Sequence, residues 1–216
     1  MSTQHSYVPD IIKHKDAIYE QNFAGESNVK KTKDWKNWLP IIEHQLWVPF
    51  CVTFAVQNAM ETLANKKGVK LNLSDREGGV GSGTHKKGNS FNNVMEYGRK
   101  TGFVREDECP WNLKDIAKGW SGWEAIFDLP ELDHAKRHKI DNHSWVTGGK
   151  QSMRNALDHT PLPMAVFVGE TWEDKDVVKP PSRPGPGHAI LNYHIDDYGC
   201  YLIYDSVGRP FKRLAP

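Results

Sequence analysis

The stretch His44–Leu63, HQLWVPFCVTFAVQNAMETL, puts Cys51 where an irregular, proline-containing segment turns into an amphipathic helix. A thiol becomes a useful nucleophile only as the thiolate, and a helix N-terminus and a neighbouring imidazolium both lower its pKa. The helix start supplies the first of these. For the second, His188 stands out: it follows the rigid, loop-like PPSRPGPG and opens the strand-like run HAILNYH. Asp205 closes another such run, YLIYD, and DYG between the two runs signals a hairpin. Two hairpin strands can bring His188 and Asp205 side by side. The carboxylate would then accept the imidazole Nδ1–H and leave Nε2 for the thiol. Read alone, Asp205 would equally serve to cap the turn DSVG.

The remaining candidates carry less chemistry. His134 and His138 stand four apart on an expected helix, but the intervening AKR lacks the glutamate of a zinc-peptidase helix, so a surface helix is expected. His85 in a glycine loop and His5 and His14 near the N-terminus read as solvated. Three cysteines at wide, irregular spacing form neither a disulfide framework nor a zinc pattern, and Cys109 and Cys200 read as structural. GVGSGTHKK lacks both phosphate-loop signatures. No metal and no cofactor is expected.

The elements that must position these groups follow from periodicity. Val52, Ala55, Val56, Ala59, Met60, Leu63 and Ala64 form a helical stripe, with Gln57, Asn58, Glu61 and Asn65 on the other face and Gly68 as the stop. Ser74 to Glu77 is a capping box for a short helix, followed by a glycine-rich loop over Gly78–Gly88. Ser90 caps a helix through Phe91, Val94 and Tyr97, closed by Gly102. A helix around Lys150–His159 precedes a β-type run, Leu162–Gly169. A helix-rich first half and a strand-rich second half predict an α+β chain in two lobes.

Composition excludes several classes. With 216 residues, 25% charged and 38% hydrophobic, the chain has the composition of a globular protein. Its formal charge of +1 is scattered, so no nucleic-acid partner is indicated. The longest uncharged apolar run, Leu46–Val56, contains Pro49 and is too short to span a membrane. No signal peptide is visible, and a cytoplasmic or virion-associated protein is expected.

In order and spacing these residues resemble the papain-like cysteine peptidases over most of the chain. Cys51 precedes His188 by 137 residues, and Asp205 stands where an asparagine is usual. Gln45 precedes Cys51 as in Q-x5-C, and CVTFA looks like the start of that family's central helix. GNSFNNVMEYGRKTGFVREDECPW resembles its glycine-rich substrate edge and the segment after it. ALDHTPLPMAVFV, GHAILNYHID and YDSVG resemble the approach to the histidine, its strand and the asparagine turn.

The resemblance implies a two-lobed papain-like fold over 1–216. Residues 21–118 would be a helical lobe carrying the Cys51 helix. Residues 119–216, with an N-terminal strap 1–20, would be a barrel-like β lobe carrying His188. It also implies thiol-dependent hydrolysis of peptide or protein substrates by Cys51, His188 and Asp205. Gln45 would be an oxyanion donor, and Gly88 and Asn89 would bind the substrate backbone. The N-terminal stretches look like the mature chain's own start, so control by prosegment removal is not expected.

Departures from the family pattern are informative. Val48 replaces a disulfide cysteine, in keeping with a reducing compartment and with compact prokaryotic or viral members. Val207 replaces the tryptophan that shields the histidine–asparagine bond, so easier access of water to His188 is expected. An aspartate at 205 should raise the His188 pKa and extend activity to higher pH than an asparagine would. Two other readings remain open. One is transglutaminase-like acyl transfer, which uses the same Cys-His-Asp order; the other is a papain-like scaffold that binds peptides without cutting them.

Overall fold

The computed structural model describes residues 6–13, 16–22, 32–111, 113–169, 172, 176–179, 181–183 and 185–215. Among them the helices are α1 (Tyr19–Asn22), α2 (Cys51–Lys66), α3 (Asp75–Gly81), α4 (Phe91–Lys100), α5 (Leu113–Ala117), α6 (Trp123–Ile126) and α7 (Gly149–His159). The strands are β1 (Leu162–Phe167), β2 (Val177–Val178), β3 (Gly187–Ile195), β4 (Tyr201–Tyr204) and β5 (Phe211–Leu214). They form one sheet in the order β1-β3-β4-β5-β2, antiparallel except for β2 against β5. The chain is α+β, with its sheet built from the second half.

α2 is the element on which the rest is arranged. It begins at Cys51 and ends before Gly68, whose φ of 78° suits the chain reversal there. Its apolar stripe packs with Leu73, Phe91, Val94 and Phe103 on one side and Ala189 of β3 on the other. The opposite, polar face is largely buried too, because other parts of the chain pack against it. Gln57, Asn58 and Glu61 are within the core. Gln57 donates to the Ser74 carbonyl at 3.1 Å, and the Glu61 carboxylate accepts the Leu73 N–H at 2.6 Å. Asn65, nearer the C-terminus, donates to the Trp38 carbonyl at 3.0 Å.

Two turns differ from expectation. Ser74 does cap α3, accepting the Glu77 N–H at 3.1 Å, but Glu77 does not reciprocate. Its carboxylate takes Arg137 at 2.6 Å and the Tyr97 hydroxyl, while the Ser74 N–H goes to Val104. The expected glycine loop begins as helix: Gly78, Gly79 and Gly81 lie within α3. A Cβ at Gly79 would overlap the Phe50 ring, so glycine is there for close packing.

The hairpin and α7 form as their spacing predicts. β3 pairs with β4 through Leu191–Tyr204 and Ile195–Tyr201, with a bulge between Asn192 and His194 and Gly199 (φ 79°) in the turn. His134 and His138 do not share a helix. A single 3-10 turn covers His134–Lys136, and His138 bridges to Phe103. His5 and His14 lie outside the described residues. No helix among the described residues is long and apolar enough to cross a membrane.

Candidate active site

The Cys51 helix starts without a side-chain cap: Phe50 is the N-cap and offers no hydrogen bond. The N-terminal N–H groups of α2 therefore keep their partial positive charge at the thiol. α2 lies against β3, which sets Cys51 over the first residues of that strand, His188 and Ala189. The imidazole is the thiol's ionisable neighbour, and both residues are 0% exposed. Burial alone would raise the thiol. The His188 hydrogen bond and charge, with backbone hydrogen bonds from Ala189 and Ser6, outweigh it and hold Cys51 below its ordinary value.

His188 Nε2 meets Asp205 Oδ1 at 2.7 Å. This reverses the expected use of the ring, in which Nδ1 would face the carboxylate. With Nε2 committed to Asp205, Nδ1 is the ring nitrogen that remains for the thiol. Burial would lower the His188 pKa, but the Asp205 charge and hydrogen bond, with Cys51, push it up to about 9. Asp205 is also buried, which alone would raise it; the His188 and Lys212 charges hold it below the usual carboxylate range. Asp205 performs its turn-capping duty as well, accepting the Val207 N–H at 3.1 Å.

The pair is shielded from water despite Val207. Val207 packs beside Trp172, whose ring meets His188 edge-on at 5.7 Å and 83°. Trp172 Nε1 donates to Asp205 Oδ2 at 2.7 Å, and Lys212 Nζ donates to the same oxygen at 2.6 Å. A tryptophan from a different part of the chain thus covers the bond that Val207 leaves bare. Neither Trp172 nor Lys212 was singled out by sequence. Lys212 is buried in β5 between exposed Phe211 and half-buried Arg213, a position that the sequence FKRL does not mark.

Gln45 is buried at 1% exposure, six residues before Cys51. Its amide Nε2 donates to the Val48 carbonyl at 2.9 Å and its Oε1 accepts Ser206 Oγ at 2.8 Å. Its backbone N–H bonds to the Ser206 carbonyl at 3.1 Å, which ties it to the turn after Asp205. The next residue, Leu46, has φ 55°, a conformation that a branched side chain seldom adopts. Gly88 (φ 97°) and Asn89 face the N-terminal segment across the cleft. Val8 N–H donates to the Asn89 carbonyl at 2.8 Å and Tyr7 N–H to the Gly187 carbonyl at 2.9 Å. A Cβ at Gly88 would overlap the Ser6 carbonyl oxygen.

Residues 6–8 therefore lie beside Cys51, with Tyr7 in an isolated bridge to Asn89. Asp10 secures the next stretch by accepting the Phe91 and Asn92 N–H groups of α4 at 3.0 and 2.8 Å. Cys109 is buried and Cys200 half-buried, and all three cysteines are free. Burial pushes the Cys109 thiol up, opposite to Cys51. Among the described residues no group of three His, Cys, Asp or Glu side chains is arranged to hold a metal ion.

No protein-family model matches the sequence, and neither does any curated protein. Solved structures do. Xylellain, a cysteine protease from Xylella fastidiosa, is similar over 98% of this chain and 89% of its own, with TM-score 0.79 and 18% identity. The proform of the ragweed pollen allergen Amb a 11, a cysteine protease, is similar over 89% of this chain, which spans 62% of that proform (TM-score 0.68, 19% identity). The bromelain protease from Ananas comosus, in complex with the E64 inhibitor, is similar over 87% and 90% of the two chains (TM-score 0.58, 18% identity). The chain has the fold of the papain-like cysteine proteases, as a divergent example of it.

Proposed function

We propose that this protein is a cysteine peptidase that hydrolyses peptide bonds by acyl transfer through Cys51. The observation that carries the reading is a buried thiol at an uncapped helix start, beside an imidazole that a buried carboxylate holds through Nε2. The opposed shifts of Cys51 and His188 favour a thiolate–imidazolium pair near neutral pH. The thiolate attacks the carbonyl carbon, and the oxyanion that forms takes hydrogen bonds from the Gln45 amide and the Cys51 backbone N–H. His188 protonates the leaving amine, then removes a proton from the water that releases the acyl group. Asp205 holds the ring throughout.

The cleft already binds extended peptide: Asn89 and Gly187 accept backbone N–H groups from residues 8 and 7. Substrate would use the same carbonyls, with Gly88 admitting its backbone, once residues 6–8 have moved away. We assign an endopeptidase. Beside Tyr7 an apolar cavity of about 440 Å³, lined by Met60, Phe91, Met95, Met164 and Ala165 among others, suits an apolar substrate side chain. We divide the chain at about residue 118 into the helical and β-rich lobes that flank this cleft.

A peptide library incubated with wild-type protein and with Cys51→Ser tests the reading. Cleavage by wild type, lost at least about a thousandfold in the variant, is expected. Peptide bound equally by both and cut by neither would establish a binding scaffold. Transfer to added lysine without hydrolysis would establish an acyltransferase.

A further inference from the structure

We propose that Lys212 is a positioning residue of the reaction, which cancels the charge of Asp205 and, with Trp172, fixes that carboxylate for His188. The inference rests on the peptidase reading of the same site. Its basis is a row of four side chains, Cys51, His188, Asp205 and Lys212, none more than 3% exposed. In the reactive state their charges alternate: thiolate, imidazolium, carboxylate, ammonium. The row sums to zero with Lys212 and to −1 without it. An uncompensated charge in such a place is strongly unfavourable, so the lysine completes an arrangement that the other three cannot make alone.

Hydrogen bonding says the same. Lys212 Nζ has three protons and three close acceptors: Asp205 Oδ2 at 2.6 Å and the carbonyls of Val207 and Arg209, each at 2.7 Å. The two carbonyls belong to the turn that carries Asp205 onward, so one ammonium grips both the carboxylate and the backbone that holds it. Asp205 Oδ2 is committed to Lys212 and Trp172, and Oδ1 to His188 and Val207. The carboxylate cannot rotate without breaking several of these bonds. Trp172 is itself held, with the Lys212 ammonium 5.2 Å from its ring centre and the His188 ring against its edge. The charged groups facing Asp205 are thus His188 from β3 and Lys212 from β5, with Cys51 of α2 beyond the imidazole.

The consequence is a coupling between positions 205 and 212. Asp205→Asn keeps an acceptor for His188 but leaves an ammonium beside the imidazolium. Lys212→Met leaves the carboxylate with excess negative charge. Removing both charges together restores neutrality and still gives His188 an acceptor.

The test compares wild type, Asp205→Asn, Lys212→Met and the double variant for kcat, KM and their pH dependence. Imidazole NMR of His188 and thermal unfolding are followed in the same four proteins. Asp205→Asn is expected to lose about a hundredfold or more in kcat, with KM little changed, and the double variant to regain at least tenfold of that loss. The His188 titration should move down in Asp205→Asn, up in Lys212→Met and between them in the double variant. If neither single variant folds, a folded and active double variant sustains the proposal. It is overturned if a folded Lys212→Met keeps wild-type kcat and His188 titration. It is overturned too if the double variant is no better than Asp205→Asn, or does not fold. A wild-type protein that cuts no peptide would refute the peptidase reading instead, and the NMR titrations would still decide what Lys212 does.

Discussion

Glu61 offers a thermodynamic test of how tightly the chain is wrapped around α2. Its carboxyl is 2% exposed and accepts the Leu73 N–H at 2.6 Å, with Glu43 and Glu106 as charged neighbours. Burial pushes it from an ordinary 4.5 to about 8, and the neighbouring carboxylates add to that. A folded state that holds its proton more tightly than the unfolded chain loses stability as pH rises. The contribution is fully present below about 4.5 and gone once pH has passed about 8. At about 1.36 kcal/mol per pKa unit the whole displacement corresponds to roughly 5 kcal/mol. Between pH 5 and pH 8 the loss is roughly 4 kcal/mol.

Glu61→Gln keeps an oxygen for Leu73 and removes the ionisation. Urea unfolding of both proteins at half-unit steps from pH 5 to pH 9 should give curves that diverge. The variant should gain steadily on wild type up to about pH 8 and run parallel above it. Parallel curves throughout would refute the reasoning, because Glu61 would then ionise in the fold as easily as in water.

Other outcomes follow from the site and its supports. Peptidase activity should decline on the alkaline side with a midpoint near 9, as His188 loses its proton, and hold on the acid side to below the usual thiol range; kcat/KM against pH measures both limbs. A decline centred near 6.5 would mean that Asp205 does not support the imidazolium. Gly79→Ala should destabilise the protein by about 1–3 kcal/mol in urea unfolding, since its methyl meets the Phe50 ring. Val8→Pro removes the N–H that binds Asn89 and should speed iodoacetamide labelling of Cys51 about three- to tenfold, read by mass spectrometry. An unchanged rate would show that this bond does not hold the segment over the thiol.

The parts of the site that the sequence announces are those tied to a change of local structure. Cys51 begins a helix stripe after Pro49, His188 opens a strand after a proline- and glycine-rich loop, and Asp205 ends one. Each boundary restricts where the side chain can point. Gln45 was found through its spacing to Cys51 and the family resemblance that spacing carries. What escaped detection is set by packing between distant segments. Lys212 sits in the four-residue strand FKRL, where nothing in the sequence separates it from its neighbour Arg213, and only the packing of the strand buries it. Trp172 comes from a loop with no periodicity. The polar face of α2 has the pattern of a solvent face, and only the chain folding back through Trp38, Leu73 and Ser74 buries it. Which imidazole nitrogen meets the thiol depends on the side from which α2 approaches β3, a relation between segments more than a hundred residues apart.

The segment of residues 6–8 beside the thiol has a bearing on the durability of the nucleophile. A thiolate is the form of cysteine most readily oxidised, first to a sulfenic acid and then irreversibly, and susceptibility follows exposure as well as charge. Cys51 combines a lowered pKa with 0% exposure, so peroxide must wait for the segment to lift before it reaches the sulfur. The hydrogen bonds from Tyr7 to Gly187 and from Val8 to Asn89 hold in place the segment that stands between the sulfur and solvent. On the peptidase reading, every opening that admits a substrate also admits an oxidant, so turnover and chemical wear share one gate.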